Sequence, residues 1–309
     1  MKVIHNIEDF KTDKPVWLTQ GTFDGVHIGH QKILKEVVSE AKEHNGLSVL
    51  LTFYPHPRLV LNTYDNNLKL LNSIEEKARY IEQLGIDYMI IMPFTKELSR
   101  MHAAEFVRNV LVEKLQLAKL IIGYDHRFGR NREGGLEQMK TYAETFGFSV
   151  EEIAAQDIEE SIVSSTKIRK ALLEGEITTA NKYLGKPYAI VGKVVEGHKK
   201  GTEIGYPTAN IQLESSYKLI PIYGVYAVWV YLENKKFGGM LNIGLNPTFK
   251  EKDWSVEVHI FDFNEDIYNK QIRIELIEHT RPEIKFEDIK ELIKQLGEDE
   301  RVIKEILRL

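Results

Sequence analysis

The segment GTFDGVHIGH at residues 21–30 decides the fold of the first part of this chain. It follows a hydrophobic run, residues 16–19, that predicts a buried strand, and it leads into the amphipathic pattern of a helix over residues 31–44. Its glycines let a ligand approach the main chain, and a helix start offers unpaired N–H groups and a positive dipole potential. A turn of this kind between a strand and a helix is predicted to bind phosphate.

Two histidines add chemistry to this turn. His27 and His30 are three residues apart, and this spacing predicts that both imidazoles lie on one face of the first helical turn. There, both could donate hydrogen bonds to phosphate oxygens as charge develops during attack on an α-phosphorus. A pair of surface or capping histidines is the alternative, and the glycine-rich context favours the phosphate site.

A second candidate phosphate motif is SSTKIR at residues 164–169. Hydroxyl residues suited to a helix N-cap precede an amphipathic helix that carries Lys167 and Arg169. Two cations near a helix start oppose the helix dipole, so a bound anion would explain them. Taken alone, the segment favours a capped surface helix with solvated charges over a phosphate site. Together the two segments resemble the nucleotidylyltransferase superfamily, which implies that the first holds the α-phosphate and the second the β- and γ-phosphates during adenylyl transfer.

The remaining hydrophobic pattern predicts two domains. Strand-like runs alternate with helical periods in the first part, which is typical of a parallel sheet covered by helices; the runs are residues 47–53, 88–92, 117–122 and 148–153, and the helical segments are residues 73–84, 103–115 and 136–146. From about residue 188 the pattern changes to short strands separated by turns, which predicts a small antiparallel barrel; these strands are residues 188–196, 223–232, 237–243, 255–263 and 271–277.

The domain boundary is predicted where a helical stretch stops at Gly185 and Pro187 follows. This gives a Rossmann-like domain over residues 1–184 and a barrel domain over residues 185–309. A final helix is predicted within residues 286–309. Its apolar residues at helical spacing are expected to pack against the barrel; they are Ile289, Leu292, Ile293 and Leu296.

The composition narrows the class of protein. The 309 residues are 43% hydrophobic and 28% charged, which suits two soluble domains with separate cores. The absence of cysteine excludes disulfides and thiolate metal sites and fits a reducing cytoplasm. A net charge of −5 gives no reason to expect nucleic acid or an anionic membrane as a partner. No run approaches the roughly 18 apolar residues of a membrane span, so neither insertion nor export is expected. A weak homo-oligomer is the remaining macromolecular expectation.

Several spaced motifs resemble one enzyme family. In order, GTFDGVH (21–27), TFYPHP (52–57), GYDHRFG (123–129) and STKIR (165–169) resemble the N-terminal half of bacterial bifunctional riboflavin kinase/FAD synthetase. GYPTAN (205–210), GVY (224–226), NIG (242–244), PTF (247–249) and EVH (257–259) resemble its flavokinase domain. The resemblance implies that the C-terminal domain phosphorylates riboflavin to FMN with ATP and Mg²⁺. The N-terminal domain would then adenylylate FMN with a second ATP, giving FAD and pyrophosphate.

The resemblance also assigns site residues in the first domain. ATP would be bound by Gly21, Phe23, Asp24, His27, His30, Asp125, Ser165, Thr166, Lys167 and Arg169. The flavin would lie against His56, Pro57, Phe106 and Phe128. From the residues alone, His56 is equally an incidental histidine in a rigid proline turn, and Asp125 a capping aspartate. The segment of residues 94–106, with apolar Leu98, Met101 and Phe106, resembles a flavin-lining segment, but a core helix explains the same period.

In the second domain the resemblance assigns ATP and Mg²⁺ to Gly205, Pro207, Thr208 and Asn210, with Thr208 and Asn210 as the metal ligands. Neutral oxygens at i and i+2 of an extended segment point to one side and suit a hydrated Mg²⁺, although a polar turn is the alternative. Glu257 alternates with apolar neighbours and shares a strand face with His259 and Phe261. That carboxylate is either solvated or, as the resemblance implies, the general base for the riboflavin 5′-hydroxyl.

Two other functions compete with this interpretation. One is a monofunctional adenylyltransferase that acts on a different phosphorylated acceptor, and the other is a flavin-binding regulatory or storage protein that has lost turnover. Retention of the residues assigned to both reactions argues against that loss; they are His27, His30, Lys167, Arg169, Thr208, Asn210 and Glu257.

Overall fold

The computed structural model describes residues 1–61, 68–124, 129, 134–153, 163–197, 200–245 and 254–309. The predicted site residues Asp125 and Phe128 and the PTF motif at residues 247–249 lie outside these ranges. The chain divides into two compact units, Met1–Ser165 and Thr166–Leu309. Among the described residues, none of the helices has the length and apolar character needed to cross a membrane.

The first unit is built on a six-stranded parallel sheet. Its strands are β1 (Lys2–Ile4), β2 (Val16–Gln20), β3 (Leu47–Tyr54), β4 (Tyr88–Pro93), β5 (Leu117–Gly123) and β6 (Ser149–Ile153). Their order in the sheet is β1-β4-β3-β2-β5-β6, and every neighbouring pair is parallel. The predicted fold class is therefore confirmed for this part of the chain. The sequence pattern misses β1, because three residues are too few to show a period.

Helices connect these strands. They are α1 (Ile28–Glu43), α2 (Pro57–Leu61), α3 (Ile74–Gln83), α4 (Lys96–Arg100), α5 (Ala103–Phe106) and α6 (Leu136–Phe146), with a 3-10 turn at Ile7–Asp9. Two separate groups of buried apolar residues pack on the sheet, and the adjacent residues Val49 and Leu50 of β3 belong to different groups. Both faces of the sheet are therefore covered, as a strand buried on two sides requires.

The segment of residues 103–115 is not the regular α-helix that the sequence predicts. After α5 the backbone continues as a π-helix over Val107–Val112. Glu113 N donates to Arg108 O at 3.0 Å, and Leu115 N donates to Val110 O at 3.2 Å. Apolar spacing does not distinguish these i to i+5 bonds from α-helical ones, so the sequence predicts a helix without its local widening.

The second unit is a closed antiparallel barrel. Its strands are β7 (Tyr188–Val195), β8 (Ala209–Leu213), β9 (Gly224–Leu232), β10 (Lys235–Leu245), β11 (Trp254–Ile260) and β12 (Gln271–Arg281). They close in the order β10-β11-β8-β7-β12-β9. The helices of this part of the chain are α7 (Ser165–Leu173), α8 (Ile177–Leu184), α9 (Lys200–Glu203) and α10 (Ile289–Leu307). The predicted barrel is confirmed, and among its described strands β8 is the one that the predicted strands do not include.

The last helix packs less completely than predicted. In α10, Leu296 and Ile303 lie in an apolar cluster with residues of the barrel. Ile289 and Ile293 are instead 58% and 39% exposed, so the expectation that the first turns of this helix bury their apolar residues is wrong. Helical spacing identifies an apolar face, but it does not show how far along the helix a partner surface extends.

The helix before the predicted boundary belongs structurally with the barrel. Asn181 of α8 donates through Nδ2 to Leu276 O at 2.9 Å, and its Oδ1 accepts from Tyr188 N at 2.7 Å. Ile222 N also donates to Leu172 O of α7 at 3.2 Å. The boundary between residues 184 and 185 stays a prediction, and the compact units divide earlier, after Ser165.

Candidate active sites

The strand order of the first unit fixes where a ligand can bind. β2 has β3 on one side and β5 on the other, so the chain reverses its direction of winding at β2. In open sheets of this kind, ligands bind beyond the carboxyl ends of the strands at the reversal. The loop after β2 is GTFDGVH, and Gly21 N donates to Leu51 O of β3 at 3.0 Å. The topology therefore places the predicted phosphate loop at the expected edge.

The backbone of this loop is strained. Phe23 and Val26 both have φ of 44°, and Gly25 has φ of 90°. Left-handed backbone at non-glycine residues costs on the order of 1–3 kcal/mol each and persists only where the surroundings enforce it. Phe23 and Val26 are 5% and 0% exposed, so the side chains are anchored in the core while the backbone turns toward the sheet edge.

The two histidines are together, but not as predicted. The helix begins at Ile28, and His27 is its N-cap, accepting a long hydrogen bond at Nδ1 from His30 N at 3.4 Å. The expectation that both residues lie within the first helical turn is wrong for His27. Their rings nevertheless stack, with centroids 3.6 Å apart and planes inclined by 17°. Two imidazoles at one helix start can present N–H groups to one phosphate.

Asp24 is buried beneath the loop. Its carboxylate is 3% exposed and accepts hydrogen bonds from Leu71 N at 3.0 Å and Asn72 N at 3.3 Å. Its backbone carbonyl accepts from Ser165 Oγ at 2.9 Å. Ser165 is the first residue of α7, so the two predicted phosphate motifs are joined by a direct hydrogen bond. These contacts give Asp24 a part in holding the loop, whatever its contact with ATP.

The sequence interpretation misses one loop contact, which comes from a buried lysine. Lys77 of α3 is 6% exposed, and its Nζ donates to Thr22 O at 2.6 Å. Burial lowers its pKa from 10.5 to about 8, and the charge of Asp24 opposes this shift. The available signal was position, since Lys77 lies between Ile74 and Ile81 at helical spacing on an apolar face.

The remaining predicted residues of the first domain lie on α7 and in the segment after β3. Thr166 and Lys167 are exposed and Arg169 is half-buried near the start of α7. His56 follows β3, with Nδ1 accepting from Arg58 N at 3.2 Å, and Pro57 begins α2. His56 and Pro57 therefore directly follow the carboxyl end of β3, where the sequence predicts a ligand edge.

Phe106 is 6% exposed and lies in a cluster of buried apolar residues. Its neighbours therefore cover the part of its ring that the predicted contact with a flavin would need. The neighbouring segment is more open. Leu98 and Met101 line a groove of about 750 Å³ together with Met92 and Pro93 at the end of β4. Its volume suits a small organic ligand.

The predicted kinase residues lie on the outside of the barrel. Glu257 of β11 is the direct partner of Asn210 on β8 and of Asn242 on β10, so all three side chains project from one face. The alternate residues of β11 are buried; they are Val256, Val258 and Ile260. The predicted alternation is confirmed for Glu257 and His259, but Phe261 lies beyond the strand and is 3% exposed. Asn242, the first residue of the NIG motif, is a neighbour of the site to which the sequence interpretation assigns no role.

Thr208 and Glu257 come within hydrogen-bond distance. Thr208 Oγ1 donates to Glu257 Oε2 at 3.2 Å. A Cβ built on Gly197 would lie 2.0 Å from Asn210 Nδ2, so the amide of Asn210 needs glycine at that position. Hydroxyl, amide and carboxylate oxygens are the ligands that Mg²⁺ prefers, and Mg²⁺ usually uses one or two carboxylates together with substrate phosphates. The donor set therefore fits a magnesium ion carried by ATP. No group of three or more His, Cys, Asp or Glu side chains in the described ranges could hold a metal ion by itself.

The loop that carries Thr208 is fixed at both ends. His259 Nδ1 donates to Pro207 O at 2.8 Å, and the His259 ring meets Tyr206 edge-on at 5.3 Å. Burial, and then the charge of Glu300 on α10, raise the pKa of Tyr206. Gly205, with φ of 85°, permits the turn that begins this loop. The barrel and α10 thus hold Pro207 and Thr208 beside Glu257.

Comparison with known proteins agrees with both sites. A family model described as FAD synthetase matches residues 9–167, and one described as riboflavin kinase matches residues 184–307. A bifunctional riboflavin kinase/FMN adenylyltransferase from Buchnera aphidicola is 39% identical, with 99% of this chain and 98% of that protein covered. The protein of the same name from Escherichia coli K12 is 34% identical, with 99% and 97% covered. This chain belongs to the bifunctional riboflavin kinase/FMN adenylyltransferase family.

A solved structure extends the likeness to the whole chain. The crystal structure described as a macrolide-efflux protein from Streptococcus pneumoniae has a TM-score of 0.89 and 31% identity, and 98% of each chain is covered. Membership of the family confirms the predicted enzyme, with FMN adenylyltransferase activity in the N-terminal part and riboflavin kinase activity in the C-terminal part. Its substrates and products are small molecules, namely ATP, riboflavin, FMN and FAD.

Proposed function

We propose that this chain performs its two reactions at two separate sites, adenylyl transfer at the loop after β2 and phosphoryl transfer on the outer face of the barrel. The observation that carries the proposal is the paired arrangement of functional groups. The stacked His27 and His30 stand at a helix start in one unit, and Glu257 contacts Thr208 in the other. Each arrangement supplies groups suited to one of the two reactions.

At the first site, a phosphate oxygen of FMN attacks the α-phosphorus of ATP. The bond between the α-phosphorus and the bridging oxygen to the β-phosphate breaks, and pyrophosphate leaves with FAD as the product. His27, His30 and the first N–H groups of α1 stabilise the charge that develops on the α-phosphate oxygens. The departing β- and γ-phosphates are bound by Ser165, Thr166, Lys167 and Arg169. The position of the cations Lys167 and Arg169 near the start of α7 supports this assignment, because a bound anion would explain two positive charges at that end of the helix dipole.

At the second site, the 5′-hydroxyl of riboflavin attacks the γ-phosphorus of a second ATP. Glu257 accepts the hydroxyl proton, and ADP leaves with FMN as the product. Thr208 and Asn210 would hold Mg²⁺, which neutralises phosphate charge when it is bound. Positioning and electrostatics dominate phosphoryl transfer, so the fixed loop of Tyr206 and Pro207 contributes by holding Thr208 in place.

The test is a crossed pair of variants assayed on single preparations. His30→Ala should lose FMN adenylylation by on the order of a hundredfold or more, the usual effect of removing one charge-stabilising donor, while phosphorylating riboflavin normally. Glu257→Gln should show the reverse pattern, with kinase turnover lowered about 10² to 10⁴-fold and FAD formation from added FMN retained. Chromatography of flavin products measures both. Parallel loss of both activities in either variant would contradict separate sites, and normal turnover would remove that residue from the mechanism.

A Mg²⁺ requirement follows from the same proposal. Chelation should stop riboflavin phosphorylation, and added Mg²⁺ should restore it. The cytoplasmic location and the weak homo-oligomer remain predictions.

A further inference from the structure

Lys77 is a buried cation of the first unit. An amphipathic helix normally turns lysine to solvent, but Lys77 is 6% exposed. Its helix is anchored independently, because Ser73 and Glu76 form a capping box with hydrogen bonds of 3.1 and 2.9 Å. The burial of the ammonium is therefore not needed to begin α3.

The ammonium of Lys77 reaches the strained loop. Nζ donates to the carbonyl of Thr22, the residue between Gly21 and the left-handed Phe23. Asp24 and its partner amides hold the next part of the loop, and Gln31 Nε2 donates to Val26 O at 2.9 Å at the far end. Hydrogen bonds therefore hold the loop along its length, and Lys77 supplies the one at Thr22 O.

We propose that Lys77 is a positioning residue for adenylyl transfer, and that its ammonium holds the Thr22 carbonyl so that the loop presents His27 and the start of α1 to the α-phosphate. The inference rests on the proposed role of this loop. Loss of the contact would release the left-handed backbone at Phe23 toward less costly conformations. Movement of about 1 Å at a reacting centre can lower turnover on the order of a hundredfold.

This role differs from a general contribution to stability. A buried charge is costly to the folded state, so an apolar side chain of similar length should be tolerated or even favoured by the fold. A positioning residue should therefore give a variant that folds well and turns over slowly. A purely structural residue should give the opposite, with lost stability and normal turnover in the molecules that remain folded.

The experiment compares Lys77→Met with Arg79→Met, which removes a cation outside the loop contact from the same helix. Lys77→Met should lower kcat for FMN adenylylation by about 10 to 100-fold, with KM for FMN changed less than about threefold, since the flavin does not contact Lys77 in this assignment. Riboflavin phosphorylation by the same preparation and the thermal midpoint of the N-terminal unit should not fall. Arg79→Met should match the wild type in all of these measurements.

The outcomes separate the inference from the proposed function. Normal kcat in folded Lys77→Met, or failure of its N-terminal unit to fold, would overturn the positioning role. Retained FAD synthesis in His30→Ala would instead overturn the assignment of the loop. Slow adenylylation in both variants, with intact kinase activity, supports both.

Discussion

Replacing Lys77 by methionine should change how the stability of the N-terminal unit depends on pH. The pKa of Lys77 is about 8 in the folded chain, against 10.5 for a lysine in water. This difference of about 2.5 units corresponds to about 3 kcal/mol by which burial of the charged amine opposes folding at neutral pH. Methionine removes that cost, but it leaves the Thr22 carbonyl without its donor, a loss of about 1–3 kcal/mol. Lys77→Met is therefore expected to be as stable as the wild type at pH 7, or up to about 2 kcal/mol more stable.

At higher pH the wild type should become more stable than Lys77→Met. Between pH 8 and 10.5 the unfolded wild type binds more protons at this residue than the folded wild type, so the free energy of unfolding rises with pH. Lys77→Met lacks the titrating amine, so its free energy of unfolding does not rise with pH for this reason. The stability of the wild type relative to Lys77→Met should therefore increase by about 3 kcal/mol across the window, and most of this change is complete by about pH 10.

Denaturant unfolding at several pH values measures this difference. Trp17 is 7% exposed in the core of the first unit, and replacing Trp229 and Trp254 by phenylalanine makes it the sole tryptophan reporter. Other titrating groups act equally in both proteins and cancel in the comparison. Arg79→Met serves as the control and should follow the wild type. Identical pH slopes for the wild type and Lys77→Met would refute the lowered pKa, and a variant much less stable at pH 7 would refute the cost assigned to the buried charge.

Two further predictions concern the second unit. Asp299 is 5% exposed and accepts hydrogen bonds from Arg281 at 2.6, 2.9 and 3.1 Å, so Asp299→Ala should leave a largely buried guanidinium unpaired and lower barrel stability by about 3–5 kcal/mol. Calorimetry should show the barrel transition shifted and the N-terminal transition unchanged; an unmoved barrel transition would contradict a stabilising pair. A fragment of residues 1–187 should still convert FMN to FAD, but with a frayed α8, because the bond from Asn181 to Leu276 is lost. A soluble fragment that binds ATP and FMN without making FAD would mean that the barrel completes the site.

Strongly apolar elements could be predicted from the sequence almost residue by residue. β2 is buried at all five positions, so its hydrophobic run marks both the strand and the loop that follows. Glu257 was predictable as a side chain of the polar face because β11 alternates between buried and partly exposed residues. In such elements the local pattern and the tertiary environment agree, and the pattern is sufficient.

Features that depend on distant contacts could not be predicted in this way. The position of Lys77 on the apolar face of α3 indicates its burial, but only the approach of α3 to Thr22 shows which group its ammonium contacts. The N-cap position of His27 depends on where the backbone turns after Val26, which spacing does not determine. β8 pairs through four residues with β7 and through two with β11, and without these partners its sequence is equally a polar turn.

The two sheets also differ in how they avoid sticking to other chains. Closure of the barrel pairs each of its described strands on both sides, so these strands leave no free edge for a neighbouring molecule. The open sheet has edges at β1 and β6, of which the first is only three residues long. The second carries adjacent Glu151 and Glu152, which disfavour pairing with another strand. A chain that joins two β-containing enzymes can therefore accumulate in quantity with little risk of edge-to-edge aggregation.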